Sequence, residues 1–416
     1  MTAPAPRGAG PLAVTGIGLV TPGGVGAKET WARVCSGTPT AAGDPELAEL
    51  PVDFSCRVPG FDPRVHAGGA QPWRNDRFTQ LALAAAHEAV SGAGLDPAAW
   101  DASRVAVVLG SAAGGVGTYE AQHRTLLSSG PGAVSPLTLP GFLPNMAAGR
   151  LAIDLRAQGP VAHTATACAS GATAVITAAL LLDSGACDIA VAGGADAMVT
   201  RTCATAFARM GALSRGTGDP ACASRPFDAG RDGFVLAEGA GVLVLERAAH
   251  AAARGARAHA VLAGHGSSAD AYHPVAPHPR GEGLRRALHQ ALASADAAPH
   301  EVDHVNAHGT GTPLNDKAEA AVLREELGAG PPSVTSAKGV LGHTMGAAGA
   351  VEAALTALSA AHQLAPPTAN FRTPDADTAG IDVVRGEPRD HGIRLALSNS
   401  CGFGGHNTVL AFRPAG

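Results

Sequence analysis

The chain has 416 residues, 46% of them hydrophobic and 16% charged, which excludes a disordered protein and exceeds the usual size of one hydrophobic core, so two domains or two fused halves are expected. A formal net charge of -5 gives no basis for nucleic acid or an anionic membrane as partner, and nowhere do about 18 uncharged apolar residues run together. Its seven cysteines are odd in number, scattered and without a C-x-x-C pair, which argues against a disulfide framework or a zinc ribbon and for a reducing, cytoplasmic location.

The opening "MTAPAPRGAGPLAV" lacks an apolar stretch of signal-peptide length. "AVTGIGLVTPGG" reads as a strand with Gly16-x-Gly18, but Thr21 and then Pro22 stand where a dinucleotide fingerprint needs a third small residue, so nicotinamide binding is not expected. "RVAVVLGSAAGG" is a buried strand ending in glycine, and 125–145 ("TLLSSGPGAVSPLTLPGFLPN") reads as a long loop of the kind that lines sites or interfaces. "TATACASGATAVITAALLL" gives a strand end, a turn of small residues and a helix. "DIAVAGGADAM" and "GVLVLER" are further strands; a charged helix near 246–261 then leads into the fresh strand "HAVLAGHG". The alternation predicts an α/β protein with mixed sheets. Two similar units, a small-residue cluster followed by an apolar helix, occur near the middle and in the last quarter and hint at a duplicated half.

Cys168 is the one reactive side chain in "TATACASGATAV", and its place before a helix amino end favours a thiolate nucleophile; the bland alternative is an inert buried cysteine. Three glycine-framed polar clusters weigh against that alternative. They are "VNAHGTGTPLNDKAEA" with His308, Thr310, Thr312, Asp316, Lys317 and Glu319, "SAKGVLGHTMGAAGAVEAAL" with Lys338, His343 and Glu352, and "SNSCGFGGHN" with Phe403 between glycines. Only three of the 30 basic residues are lysines, and two of those fall in these clusters, so a compact ammonium is expected beside the histidines. His304 and His308 are four apart, but no glutamate follows the first and "GTGTP" prevents a helix, so no metal site is expected. No G-x-S-x-G elbow occurs.

These motifs, in this order and spacing, resemble the elongating β-ketoacyl synthases, the thiolase-fold condensing enzymes of fatty acid and polyketide assembly, over nearly the whole chain. The second histidine in "GHTMGAAG" makes the likeness one to the Cys-His-His class. It implies an α/β thiolase-like fold of two similar halves in five layers, α-β-α-β-α, with residues 1–255 carrying the nucleophilic cysteine and 256–416 the two histidines. It implies decarboxylative Claisen condensation of a malonyl unit with an acyl chain on Cys168, and catalytic roles for Cys168, His308, His343, Lys338 and Glu352. Backbone N–H groups of Cys168 and Phe403 form the oxyanion hole, Thr310 and Thr312 contact phosphopantetheine, and Phe403 gates the acyl pocket. No cofactor and no metal are implied, and the expected partners are an acyl carrier protein and either a second copy or a homologous chain-length factor.

Departures from the family pattern narrow the reading. Ala113 stands where a larger apolar residue commonly lines the acyl pocket, Cys401 replaces a common phenylalanine, and His406 a common threonine. These point to a type II polyketide synthase, with polyenes as a candidate cargo, and leave the housekeeping fatty acid enzyme as the alternative. Carrier docking is expected at Arg74 and Arg77, although Ala70 and Trp73 stand where basic residues are common. Two rivals are a noncatalytic chain-length factor, disfavoured by retention of the cysteine and histidines, and a degradative thiolase, for which Cys401-Gly402 offers only a superficial match.

Overall fold

The structure is a computed structural model that describes residues 11–68, 74–216, 218–328 and 330–415. One series of eight elements is followed by a second of the same kind. The first comprises β1 (Leu12–Thr21), α1 (Arg77–Gly92), β2 (Val105–Gly110), α2 (Met146–Asp154), β3 (Val161–Thr164), α3 (Ser170–Asp183), β4 (Ile189–Asp196) and β5 (Gly239–Arg247). The second comprises β6 (Ala260–Ala269), α4 (Glu282–Ser294), β7 (His304–Asn306), α5 (Pro313–Leu327), β8 (Ser333–Thr335), α6 (Ala348–His362), β9 (Ala396–Gly402) and β10 (His406–Pro414). The strands lie in the orders β1-β5-β4-β2-β3 and β6-β10-β9-β7-β8, so the two topologies coincide. Antiparallel pairing of Leu12–Val14 with residues 260–262 joins them into one sheet path.

The layers follow from which faces are apolar. α3 and α6 pack on each other and on strands of both halves, whereas α1 and α2 cover the outside of the first half and α4 the outside of the second. This is the five-layered thiolase-like arrangement. α6 is buried from Ala348 through Ala360, around its whole circumference, as a helix between the sheet regions of two halves must be; its polar stripe is Glu352, Thr356 and Ser359. β2, "VAVVLG", is buried at every position and pairs in parallel on both edges, which explains an apolar run without alternation.

The glycines of "TGIG" have a packing role. A Cβ on Gly16 or Gly18 would lie 2.0 or 1.8 Å from a carbonyl oxygen of α1, that of Ala89 or Ala85. In the second half Gly264 and Gly266 stand in the same relation to α4, at 2.5 and 2.0 Å from the carbonyls of Ala291 and Ala287. Each pair lets a helix sit directly on its strand, and its recurrence is a trace of the duplication.

The expected loop at 125–145 is a correction: helices span Val116–Ser129 and Thr138–Phe142, with a 3-10 turn at Pro131–Ala133 between them. Proline and glycine there end short helices rather than preventing them. A short helix at Ala248–Ala253 does lead into β6. Among the described residues, no helix is long and apolar enough to cross a membrane.

Candidate active site

Cys168 sits in a single 3-10 turn, Ala167–Ala169, that joins β3 to α3. The turn is strained, with Ala167 at φ 50°, a left-handed conformation an alanine adopts only when its surroundings impose it. Ser170 imposes it here: its Oγ donates to the Ala167 carbonyl at 2.6 Å and accepts the Thr166 N–H at 2.9 Å. From the other half the end of β9 closes over the turn, where Gly402 is obligatory because a Cβ would lie 2.3 Å from the Thr166 carbonyl oxygen and 3.3 Å from the Cys168 nitrogen.

The histidines come from the second half. His343 lies in the turn before α6, held by backbone bonds to Val235 and Ala237, with its Nε2 3.1 Å from the Cys168 Sγ. The edge of Phe234 packs on its ring, centroids 5.1 Å apart. His308 follows β7 and meets the His343 ring edge to face at 5.6 Å. Lys338 is buried, pairs with Glu352, and places Nζ 3.5 Å from His308 Nδ1. An ammonium has only donors, so Nδ1 of His308 is the acceptor and its proton resides on Nε2.

Sequence reasoning gave Glu319 no role, yet its carboxylate accepts the backbone N–H groups of His308 and Gly309, both at 2.8 Å, and the Asn399 amide at 3.1 Å. Its signal was a position one turn after Asp316 on α5; Asp316 is likewise buried and accepts the Phe227 and Gly311 N–H groups. Lys317, by contrast, is exposed and pairs with Asp377, so only one of the two cluster lysines reaches the site.

The electrostatics differ from the expected thiolate. Burial pushes the Cys168 thiol up to about 12, against a smaller opposing effect of Lys338. A helix amino end is worth about 0.3–1 kcal/mol and at most about 2, whereas desolvating an anion shifts a buried group by several pH units, so burial prevails. Burial and the charge of Lys338 hold His308 and His343 well below the usual histidine range, and His308 also feels His343. The resting pair is a neutral thiol and a neutral imidazole. Burial raises Glu352 to about 7 against the pull of Lys338.

A pocket of about 250 Å³ runs from Cys168, His308 and His343 to the surface, past Thr310, Thr312 and Phe403. The two threonine hydroxyls bond each other at 2.8 Å. Phe403 lies 6.5 Å from the Phe207 ring and precedes Gly404 and Gly405, both at positive φ. Cys401 also lines the pocket, whereas Ala113 packs into the apolar cluster behind Cys168 with Met198 and Phe207. Arg74 is exposed. Arg77 is placed differently from expectation: both arms of its guanidinium bond the buried Glu238 at 2.6 Å and its face covers Phe61, so it anchors α1. Ala70 and Trp73 lie outside the described residues.

A buried cysteine at a strained turn, with one histidine against it and a second beside that, at the closed end of a pocket where two matching halves meet, is the site of an acyl-transferring condensing enzyme of the thiolase-like fold. Residues 9–251 match the beta-ketoacyl synthase N-terminal domain and residues 259–372 the C-terminal domain. The chain belongs to the β-ketoacyl synthase family. It is 39% identical, over 97% of its length and 98% of the relative's, to 3-oxoacyl-[acyl-carrier-protein] synthase 2 of Staphylococcus aureus (strain COL). Two solved structures are also similar. The ishigamide ketosynthase/chain length factor superposes with a TM-score of 0.92 at 34% identity, covering 98% of this chain and 100% of the other. A ketosynthase of a type II polyketide synthase, in complex with its acyl-carrier protein and bound to the hexaketide, superposes with a TM-score of 0.89 at 30% identity and the same coverage.

Proposed function

We propose that the chain elongates polyketides by decarboxylative condensation of a malonyl unit with an acyl group held on Cys168. The observation that carries this reading is the 3.1 Å approach of His343 Nε2 to the Cys168 Sγ at the closed end of the pocket, with His308 beside it. The Cys168 thiol attacks the thioester of an acyl carrier. His343 Nε2 takes the thiol proton as the S–C bond forms, because the thiolate is not populated beforehand, and returns it to the departing carrier thiol.

The malonyl thioester then enters and loses carbon dioxide. The pair of electrons from the broken C–C bond becomes an enolate, whose oxygen receives a hydrogen bond from Nε2–H of His308; Lys338 and Glu319 are positioning residues for His308. The enolate carbon attacks the Cys168 thioester, whose oxygen is received by the backbone N–H groups of Cys168 and Phe403. Collapse expels the Cys168 sulfur as a thiolate, which takes up from solvent the one proton that the condensation consumes. Thr310 and Thr312 contact the phosphopantetheine arm and Phe403 gates the acyl chain. No cofactor or metal enters these steps.

The partners follow from the reading. An acyl carrier protein delivers substrate. Exposed Leu126, Leu127, Leu139, Leu143, Ile153 and Val161 gather along the unpaired edge strand β3 and the helices beside it, an apolar strip suited to a second subunit, either another copy or a homologous chain-length factor. The working compartment is the cytoplasm. The contact between Cys168 and His343 disfavours a noncatalytic subunit. Small Ala113 in the cluster behind Cys168 favours polyketide cargo, whereas the 39% identity to a 3-oxoacyl-[acyl-carrier-protein] synthase 2 favours housekeeping elongation as the second reading. Supplying malonyl and acyl carriers and weighing the products by mass spectrometry tests both. A β-ketoacyl product two carbons longer supports condensation, elongation of polyunsaturated or polyketo chains supports the polyketide assignment, and elongation of saturated chains alone overturns that assignment.

A further inference from the structure

Cys401 is a second thiol on the wall of the pocket that holds Cys168, and the condensation steps leave it without a part. It stands near the end of β9, one residue before the glycine that packs against the Cys168 nitrogen, and Asn407, opposite it on β10, lines the same wall. On its other side lies a cavity of about 10 Å³, room for one water molecule, bounded by Asp270, Asn315 and Glu319. The thiol thus stands between the substrate space and a small polar chamber.

The acidic hydrogens that face the pocket have different commitments. That of Cys168 points to His343 Nε2 at 3.1 Å. Nε2–H of His308 serves the enolate oxygen, and Thr310 and Thr312 bond each other at 2.8 Å. The Cys401 S–H is given to none of the described residues. Burial, with the charges of Glu319 and Asp270 added, holds this thiol well above its ordinary range, so it carries its hydrogen at neutral pH.

We infer that Cys401 is a catalytic acid, which protonates the carbon left by decarboxylation when Cys168 carries no acyl chain; the inference rests on the condensing reaction proposed above. In that step the C–C bond to the malonyl carboxylate breaks and carbon dioxide leaves. The electron pair takes the Cys401 hydrogen, forming the new C–H bond of an acetyl thioester on the carrier. The Cys401 thiolate recovers a proton from water in the adjoining chamber, so that malonyl carrier and one proton give acetyl carrier and carbon dioxide. With an acyl chain on Cys168 the same carbon attacks the thioester instead. An enzyme without a chain thereby makes an acetyl group, a two-carbon starter for its own reaction.

The test supplies malonyl carrier protein with and without acyl carrier protein and weighs the acetyl and β-ketoacyl carriers formed by wild type, Cys401→Ala and Cys401→Ser. Serine keeps nearly the size of cysteine and is a far weaker acid. The expected result is acetyl carrier from wild type given malonyl carrier alone, and in both variants a fall of about tenfold or more in the ratio of acetyl to β-ketoacyl product. A proportional loss of the two products would make Cys401 structural, and serine matching cysteine would remove the acid; either overturns the assignment. β-Ketoacyl product without acetyl from the wild type overturns it too and leaves condensation standing. If the wild type yields neither product, the condensing activity itself fails and the acid with it.

Discussion

The turn before α3 and the turn before α6 are the same piece of backbone put to different uses. Each holds one non-glycine residue in the left-handed region three positions before its helix, Ala167 at φ 50° and Met345 at φ 53°. Each helix then brings a glycine against its counterpart: a Cβ on Gly171 would lie 2.7 Å from the Ala350 nitrogen, and one on Gly349 would lie 2.8 Å from the Ala172 nitrogen. The position of Cys168 in the first turn is that of Gly346 in the second. The first turn opens on the pocket. The second is filled by Asp196 from the end of β4, whose carboxylate accepts the N–H groups of Gly346 at 2.6 Å and Ala112 at 2.9 Å and the Ser111 hydroxyl at 2.6 Å. Duplication supplied two strained turns with backbone N–H groups to offer. One is left open to the pocket and the other is occupied by a fixed carboxylate, which locks the turn that carries His343.

The largest effect should come from making the first turn resemble the second. Cys168→Gly should lower condensation by more than about a thousandfold, since it removes the nucleophile from an otherwise intact backbone; product formation on carrier protein measures this. Unplugging the second turn comes next. Asp196→Ala leaves buried donors without an acceptor and should cost about 3–5 kcal/mol in urea unfolding. A loss below about 1 kcal/mol would mean that water replaces the carboxylate.

Replacing the plug conservatively gives a smaller, pH-dependent signature. Burial raises Asp196 to about 6, above its value of about 4 in an unfolded chain. The folded protein therefore holds the proton more tightly. That contribution to stability is fully present below about pH 4 and is lost as pH rises through 6, for a total of about 3 kcal/mol. Asp196→Asn does not titrate, so its stability relative to wild type should rise across that window; a constant gap would contradict the buried plug. The smallest effects test the symmetry: Gly171→Ala and Gly349→Ala should each cost about 1–3 kcal/mol by overpacking, and the two losses should agree within about 1 kcal/mol.

Much of this was legible in the sequence because glycine marks close approach. The small residues around Cys168, His308, His343 and Phe403 flagged the segments that converge, and the scarcity of lysine singled out Lys338. Clearance glycines in "TGIG" and "LAGHG" carried the duplication too, but two glycines in a strand show that role only once the helix that packs on them is placed. What stayed hidden is tertiary. Nothing local tells that Arg77 meets Glu238 far along the chain, or that Asp196 reaches Gly346 in the other half. The acidity of Cys168 was misjudged for the same reason, since the helix end is visible in sequence and the depth of burial is not.

The central claim is that Cys168 holds the acyl chain as a thioester. Intact-protein mass spectrometry after incubation with acyl-loaded carrier protein tests it most directly, comparing wild type with Cys168→Ala. The account predicts an added acyl mass on the wild type and none on the variant. An adduct on both proteins, or on neither, would contradict it.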